Sequence, residues 1–236
     1  MNKLRCLVLL SGRGSNLAAM IGARDSASLP LDICSAISNR NTAKGLEIAR
    51  AAGIPTVFVD PASYPDRQSY DQELGRQIQE SQPDLIVLAG FMRILGPELV
   101  NQYRGHIINL HPSLLPKYTG LDTYNRALSA GDTHYGASIH FVTPELDAGT
   151  LIGQVTLPIE ANDTAEGMAN RLQPIEHLLL LASLELFSLH TVRLIDDMLN
   201  IDGIAHEKPL HMAADGHFAL TGSQPWGQPE SQDKAR

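Results

Sequence analysis

Leu4-Arg5-Cys6-Leu7-Val8-Leu9-Leu10-Ser11-Gly12-Arg13-Gly14-Ser15-Asn16 is a short apolar run that stops in a glycine- and serine-rich turn. From Cys6 to Leu10 no residue is polar, so the run has no solvent face, and a strand of this kind is covered on both sides. Leu85-Ile86-Val87-Leu88 repeats the pattern. Between these runs, strand-like and helix-like stretches alternate: Leu17 to Ala27, Asp32 to Ser38, Ala43 to Ala52, Thr56 to Val59 and Asp66 to Glu80. The βαβα rhythm predicts an α/β fold built on an open, mostly parallel twisted sheet with helices on both faces. Ligands of such a sheet gather at the carboxyl ends of its strands.

Working outward, the loop Ala89-Gly90-Phe91-Met92-Arg93 leads to a short helix from Pro97 to Tyr103 and a strand from Ile107 that ends at His111-Pro112. Strands are predicted from Gly136 to Phe141 and Leu151 to Leu157, then a long helix from about Thr164 to Leu189. Asp163 or Thr164 followed by Glu166 gives that helix a capping-box start. Hairpin-like pieces follow around Asp202-Gly203 and Asp215-Gly216, and 222–236 is Gly, Pro, Gln and Ser with a few charges. We expect one domain over 1–221 and a disordered tail over 222–236.

The chain has 236 residues, 43% of them hydrophobic, which suffices for one substantial core. Eighteen Lys and Arg stand against 26 Asp and Glu, a net charge of −8, so the surface repels phosphodiester backbone and nucleic acid is not expected as a partner. By inspection no apolar run approaches the roughly 18 to 20 residues of a membrane span, and no targeting segment is visible. Cys6 and Cys34 fall inside apolar strand candidates, where reduced thiols behave as small hydrophobes. The expected address is cytoplasmic.

Three loops could carry chemistry. Ser11-Gly12-Arg13-Gly14-Ser15-Asn16 lacks the Gly-Lys-Ser/Thr of a nucleotide-binding P-loop and the third glycine of a dinucleotide fingerprint. It still offers converging backbone N–H groups, a hydroxyl and a helix N-terminus, which suit one phosphate. It reads equally as a tight turn in which Ser15 or Asn16 caps the helix. In Asn109-Leu110-His111-Pro112, a period of two puts Asn109 and His111 on one face at a strand end. An amide donor beside an imidazole suits a reaction through a tetrahedral oxyanion, and a turn-capping Asn beside a half-buried His is the plainer alternative. Asp147, in the loop after Ser138-Ile139-His140-Phe141, is the natural charge partner for His111, although Asp-Ala-Gly is also common turn chemistry. Gln173 and Glu176, spaced i, i+3, share a helix face beside Pro174 and could grip an amine, or simply face solvent. No histidine spacing reads as a metal site.

Taken together and in order, these segments resemble the phosphoribosylglycinamide formyltransferases, the folate-dependent transformylases of purine synthesis, from about Leu4 to Leu181. The residues that carry the resemblance are 11–16, Ala89 to Leu95, Asn109 to Tyr118, His140 to Asp147 and Gln173 to His177. The resemblance implies that 10-formyltetrahydrofolate is the co-substrate, that 5-phosphoribosylglycinamide is the acceptor, and that no metal is needed. It implies catalysis by Asn109, His111 and Asp147, with a protonated His111. Phosphate would bind at Gly12, Arg13, Gly14, Ser15 and Asn16, and the glycinamide amine near Gln173 and Glu176. Folate would bind at Arg67, Met92, Arg93, Ile94, Leu95, Val142, Thr143, Pro144, Glu145, Leu146 and Asp147, with Ser138 and His140 also in the pocket. Small molecules are then the expected partners, without membrane, and a homodimer is left open. Thr119, Asp122 and Tyr124 depart from the Pro-Gly-Leu and histidines usual in the family after Lys117-Tyr118. An initiator-tRNA formyltransferase, a formyltetrahydrofolate hydrolase and a silent nucleotide-binding module are the rivals; the first would need a basic tRNA-binding module, and the second usually carries an extra domain before the catalytic one.

The sole tryptophan, Trp226, lies among Pro225, Gly227 and Pro229 in the tail. Its fluorescence should be that of a solvated indole, and truncation after Thr221 should leave stability and activity nearly unchanged. A blue-shifted emission together with loss of activity on truncation would move the domain boundary.

Overall fold

The computed structural model describes residues 3–213 and 216–218. The chain opens as β1 (Leu4–Leu10), α1 (Ser15–Asp25), β2 (Leu31–Ser38), α2 (Lys44–Ala51) and β3 (Thr56–Phe58). It continues as α3 (Arg67–Ser81), β4 (Leu85–Leu88), α4 (Pro97–Gln102), β5 (Ile107–His111), α5 (Thr123–Ser129), β6 (His134–Phe141), β7 (Leu151–Pro158) and α6 (Ala165–Leu189). Four short strands close it: β8 (Val192–Ile195), β9 (Met198–Ile201), β10 (Ile204–His206) and β11 (Leu210–His211). The main sheet has eight strands in the order β11-β7-β6-β5-β4-β1-β2-β3, and β8, β9 and β10 form a separate antiparallel sheet.

Residues Cys6 to Leu10 of β1 are all fully buried, which fixes the layers. Cys6, Val8 and Leu10 pack with Leu17 and Met20 of α1, Leu46 of α2 and Met168, Leu172 and Leu179 of α6. Leu7 and Leu9 point the other way, onto Tyr70, Leu74 and Ile78 of α3 and Leu99 and Val100 of α4. Helices thus cover both faces, as the unpatterned strand requires. The pairs β1–β2, β2–β3, β1–β4 and β4–β5 are parallel, whereas β5–β6 and β6–β7 are antiparallel. Because β2 and β4 flank β1 on opposite sides, the chain reverses direction across the sheet there, and a crevice opens at the carboxyl ends of β1 and β4.

Some expectations change. Helix α5 has no counterpart among the elements expected from the sequence; at seven residues it is too short to display a clear helical period. At α6, Thr164 accepts from the Gly167 amide, so Glu166 stands one position short of the reciprocal bond and no capping box forms. Among the described residues α6 is also long and apolar enough to cross a membrane, contrary to the reading of the sequence; here its Met168, Leu172, Leu179, Leu180 and Leu184 are buried. A two-residue bridge joins Met212 to Phe218 around Gly216, while Asp215, the tail 222–236 and Trp226 lie outside the described residues.

Helix α1 starts without a side-chain cap. Its N-cap is Gly14 at φ 77°, not Ser15 or Asn16. A Cβ on Gly14 would meet the Gly45 Cα of α2 at 2.5 Å, whereas one on Gly12 would meet nothing within 4 Å. Gly14→Val should therefore cost about 2–4 kcal/mol of stability and Gly12→Ala less than about 0.5 kcal/mol, as read from urea midpoints.

Candidate functional site

Asn109 and His111 leave the same face of β5, where the antiparallel register sets them opposite His140 and Ser138 of β6. The segment between β6 and β7 folds back over this face and delivers Asp147, held at φ 52°, a left-handed conformation that Asp tolerates better than most residues. Asp147 Oδ1 accepts from Asn109 Nδ2 at 3.4 Å, and Oδ2 accepts from the Gly120 amide at 2.8 Å. Oδ2 also lies 3.5 Å from His111 Nδ1. The turn thus places the Asp147 carboxylate beside Asn109 and His111.

The hydrogen-bond partners assign the ring protons. His111 Nε2 lies 2.9 Å from the Tyr118 carbonyl, an acceptor, so Nε2 carries hydrogen. His140 Nδ1 likewise faces the Phe141 carbonyl at 2.9 Å, which leaves Nε2 to accept from Asn109 Nδ2 at 3.1 Å. Burial pushes the His111 pKa below the ordinary histidine value; the Tyr118 bond and the Asp147 charge oppose that without cancelling it. The lowered pKa favours the neutral imidazole at neutral pH. Burial acts to raise the Asp147 pKa, but the contacts around the carboxylate, the Gly120 amide among them, more than offset it and hold it below the ordinary carboxylate value. The site is a fixed negative charge facing an empty imidazole nitrogen.

Around this trio runs a cleft of about 410 Å³. One wall is the loop Gly90 to Leu95, with Met92 and Ile94 exposed; the other is Val142 to Leu146, and Leu121, Asp122 and Tyr124 form the rim. The turn 11–16 adjoins it through α6. Gln173 Nε2 reaches Ser15 Oγ at 3.4 Å, and Glu176 hydrogen-bonds Tyr124 within the field of Arg13. Asn16 Oδ1 is buried without a protein partner, a free acceptor in the turn expected to hold phosphate. Among the described residues no group of three His, Cys, Asp or Glu side chains could hold a metal ion.

The sequence profile of the formyl transferase family matches residues 4–184. The chain belongs to that family. It is 45% identical over 174 residues, 74% of this chain and 82% of the relative, to the phosphoribosylglycinamide formyltransferase of Escherichia coli K12. The structure of the enzyme of that name from Coxiella burnetii superposes with a TM-score of 0.83 at 42% identity, covering 92% of this chain and 99% of that one. A formyltetrahydrofolate deformylase from Pseudomonas syringae pv. tomato also matches, with a TM-score of 0.77 at 30% identity, over 85% of this chain and 66% of that one.

Two residues expected in the pocket of this formyl transferase are elsewhere. Ser138 is fully buried, bonded to the Leu115 amide, the Ser113 carbonyl and Gln154; it ties the 113–115 turn to the sheet. Arg67 lies behind the 90–95 wall, donating to the Leu95 carbonyl, and does not line the cleft. Residues without an assigned role also enter. Ser11 Oγ accepts the Met92 amide at 2.7 Å and donates to Asn39 at 2.5 Å, joining the ends of β1, β2 and β4. Its place after an apolar strand was visible, but its partners are far away in sequence. The Tyr118 carbonyl and Gly120 amide are backbone groups, which no residue type announces.

Burial raises the Glu176 pKa to about 7, against the Tyr124 bond and Arg13, which lower it. An unfolded Glu ionises near pH 4.5, so ionising the folded group costs stability that appears as pH rises from there and is complete above about pH 7. Glu176→Gln should therefore leave stability unchanged near pH 4 and increase it by about 1–3 kcal/mol at pH 8, measured by chemical denaturation at both pH values.

Proposed function

We propose that this formyl transferase moves the formyl group of 10-formyltetrahydrofolate to the primary amine of 5-phosphoribosylglycinamide, a step of purine biosynthesis. The observation that carries the reading is the Asp147 carboxylate, bonded to Asn109 and facing His111 Nδ1 in a cleft flanked by an anion-binding turn. The folate occupies the cleft between Met92–Leu95 and Val142–Leu146, and the phosphate sits on the turn 11–16. Glu176 faces the amine side. Both partners are small molecules, and the two free cysteines fit a reducing cytoplasm.

The amine nitrogen bonds to the formyl carbon, and negative charge collects on the formyl oxygen. Asn109 Nδ2 serves that oxygen, because its bond to Asp147, at 3.4 Å, is the longer of its two and the easier to exchange. The attacking nitrogen loses a proton to the neutral His111 Nδ1, and Asp147 stabilises the imidazolium at the moment it forms. As the bond from the formyl carbon to the folate nitrogen breaks, the proton passes to that nitrogen and free tetrahydrofolate leaves. The hydrolase reading replaces the amine by water; the likeness to a deformylase favours keeping it as a control.

Purified protein should release tetrahydrofolate when both substrates are present and not with 10-formyltetrahydrofolate alone. Release without the amine would make the protein a hydrolase. His111→Ala and Asn109→Ala should each lower turnover by about 10² to 10⁴. The rate should fall on the acid side as His111 takes up its proton, with a midpoint below the ordinary histidine value. Asp147→Asn should move that limb to still lower pH, since the charge that favours imidazolium is gone. A rate that rises toward low pH would instead assign His111 the role of a standing cation.

A further inference from the structure

The loop that forms one wall of the cleft carries two exposed apolar side chains, Met92 at 58% and Ile94 at 54% of full exposure. Nothing in a hydrophobic core holds these side chains in place, so their position depends on how the backbone beneath them is anchored. At its start the anchor is Ser11, which accepts the Met92 amide and whose own amide donates to the Gly90 carbonyl at 3.1 Å. At its far end the anchors come from α3. Tyr70 stacks beneath Arg93 at 4.3 Å, Arg67 donates to the Leu95 carbonyl, and Asp71 Oδ2 accepts the Gly96 amide at 2.7 Å.

Asp71 is the unusual member of this set. Its side chain is 8% exposed, its Oδ1 has no partner among the described residues, and its Oδ2 lies 3.6 Å from Arg67 Nε. A buried carboxylate is costly, and an apolar residue would pack on α3 without that cost. The contact is also tight: a Cβ at Gly96 would collide with Oδ2, so residue 96 must be glycine for the carboxylate to reach the amide. Behind the anchor lies a cleft of about 440 Å³ between α3 and α4, bordered by Gln68, Gln72, Glu98 and Leu99. Once released, the loop has somewhere to go.

We propose that Asp71 is a positioning residue: through Gly96 and Arg67 it clamps the 92–96 loop against α3 and holds the Met92–Leu95 wall in its folate-binding position. The inference rests on the folate reading of the cleft and adds a residue that touches no substrate. Its role follows from the geometry of the peptide it holds: Asp71 sets affinity for the co-substrate and leaves the chemistry at Asn109, His111 and Asp147 unchanged.

The test compares wild type, Asp71→Ala and Asp71→Asn. Asparagine retains an oxygen for the Gly96 amide but loses the charge that holds Arg67. Asp71→Ala should raise the KM for 10-formyltetrahydrofolate about tenfold, with kcat and the KM for the phosphorylated amine within about threefold of wild type, the signature of lost ground-state binding. Asp71→Asn should recover most of that loss. Amide hydrogen exchange, which needs no activity, should show faster exchange across 91–96 in Asp71→Ala and unchanged exchange at Asn109 to His111. Uniform acceleration over the whole sheet, or an unchanged KM with an intact loop, would overturn the clamp and leave Asp71 a residue of general stability. Failure of the wild type to bind folate would overturn the functional reading, and the exchange pattern would then decide the clamp by itself.

Discussion

Strand β1 is buried on both faces, and the arrangement of the protein follows from that constraint. Five consecutive side chains at zero exposure leave no lateral position where a polar group could reach solvent or a ligand. Chemistry is therefore confined to the ends of the strands. The amino ends receive the returning connections, while the carboxyl ends of β1 and β4 diverge toward different neighbours. Ser11 is the first polar residue after the apolar run, and it is bonded at once to the loops that follow β2 and β4. The crevice is a result of sheet order, and its rigidity is a result of that hydroxyl.

Within the crevice the electrostatics are arranged around a charge that does not move. Asp147 is buried, yet the Gly120 amide and Asn109 Nδ2 donate to it and its pKa stays below the ordinary carboxylate value. Burial has the opposite consequence for its neighbours: it keeps His111 neutral and pushes Glu176 toward neutrality near pH 7. One ionised carboxylate, one neutral base and one carboxyl close to its midpoint can coexist because burial outweighs the Tyr124 bond at Glu176 but is outweighed by the contacts at Asp147. This separation of protonation states suits proton transfer near neutral pH.

The sequence made the layered fold legible because burial on both faces leaves a mark on composition: Cys6 to Leu10 and Leu85 to Leu88 could not be surface strands. Asn109 and His111 were legible because strand period places them together, and Asp147 because acids pair with histidines. What escaped depended on long-range approach or on backbone. Ser138 sits on the same register as the site and looked like a pocket residue, but a strand position cannot tell the cleft side from a buried turn. Burial, which no motif encodes, outweighs the neighbouring Asp147 charge and lowers the His111 pKa. Helix α6 escaped because it has no unbroken apolar run of membrane-spanning length, although its average hydropathy over 18 residues is high enough. Arg67 was placed in the pocket by likeness alone, and its guanidinium instead grips the outside of the pocket wall.

That last difference shows what holds the wall of the cleft in place. A loop with exposed Met92 and Ile94 gains nothing from their solvation, so an unanchored chain would fold them inward and close the cleft. Ser11 at one end and α3 at the other prevent this by holding backbone amides and a carbonyl, groups that cannot rotate away without losing a buried bond. The ordering of the wall is completed during folding. The polar residues behind the cleft thus set the position of the apolar ones that face it.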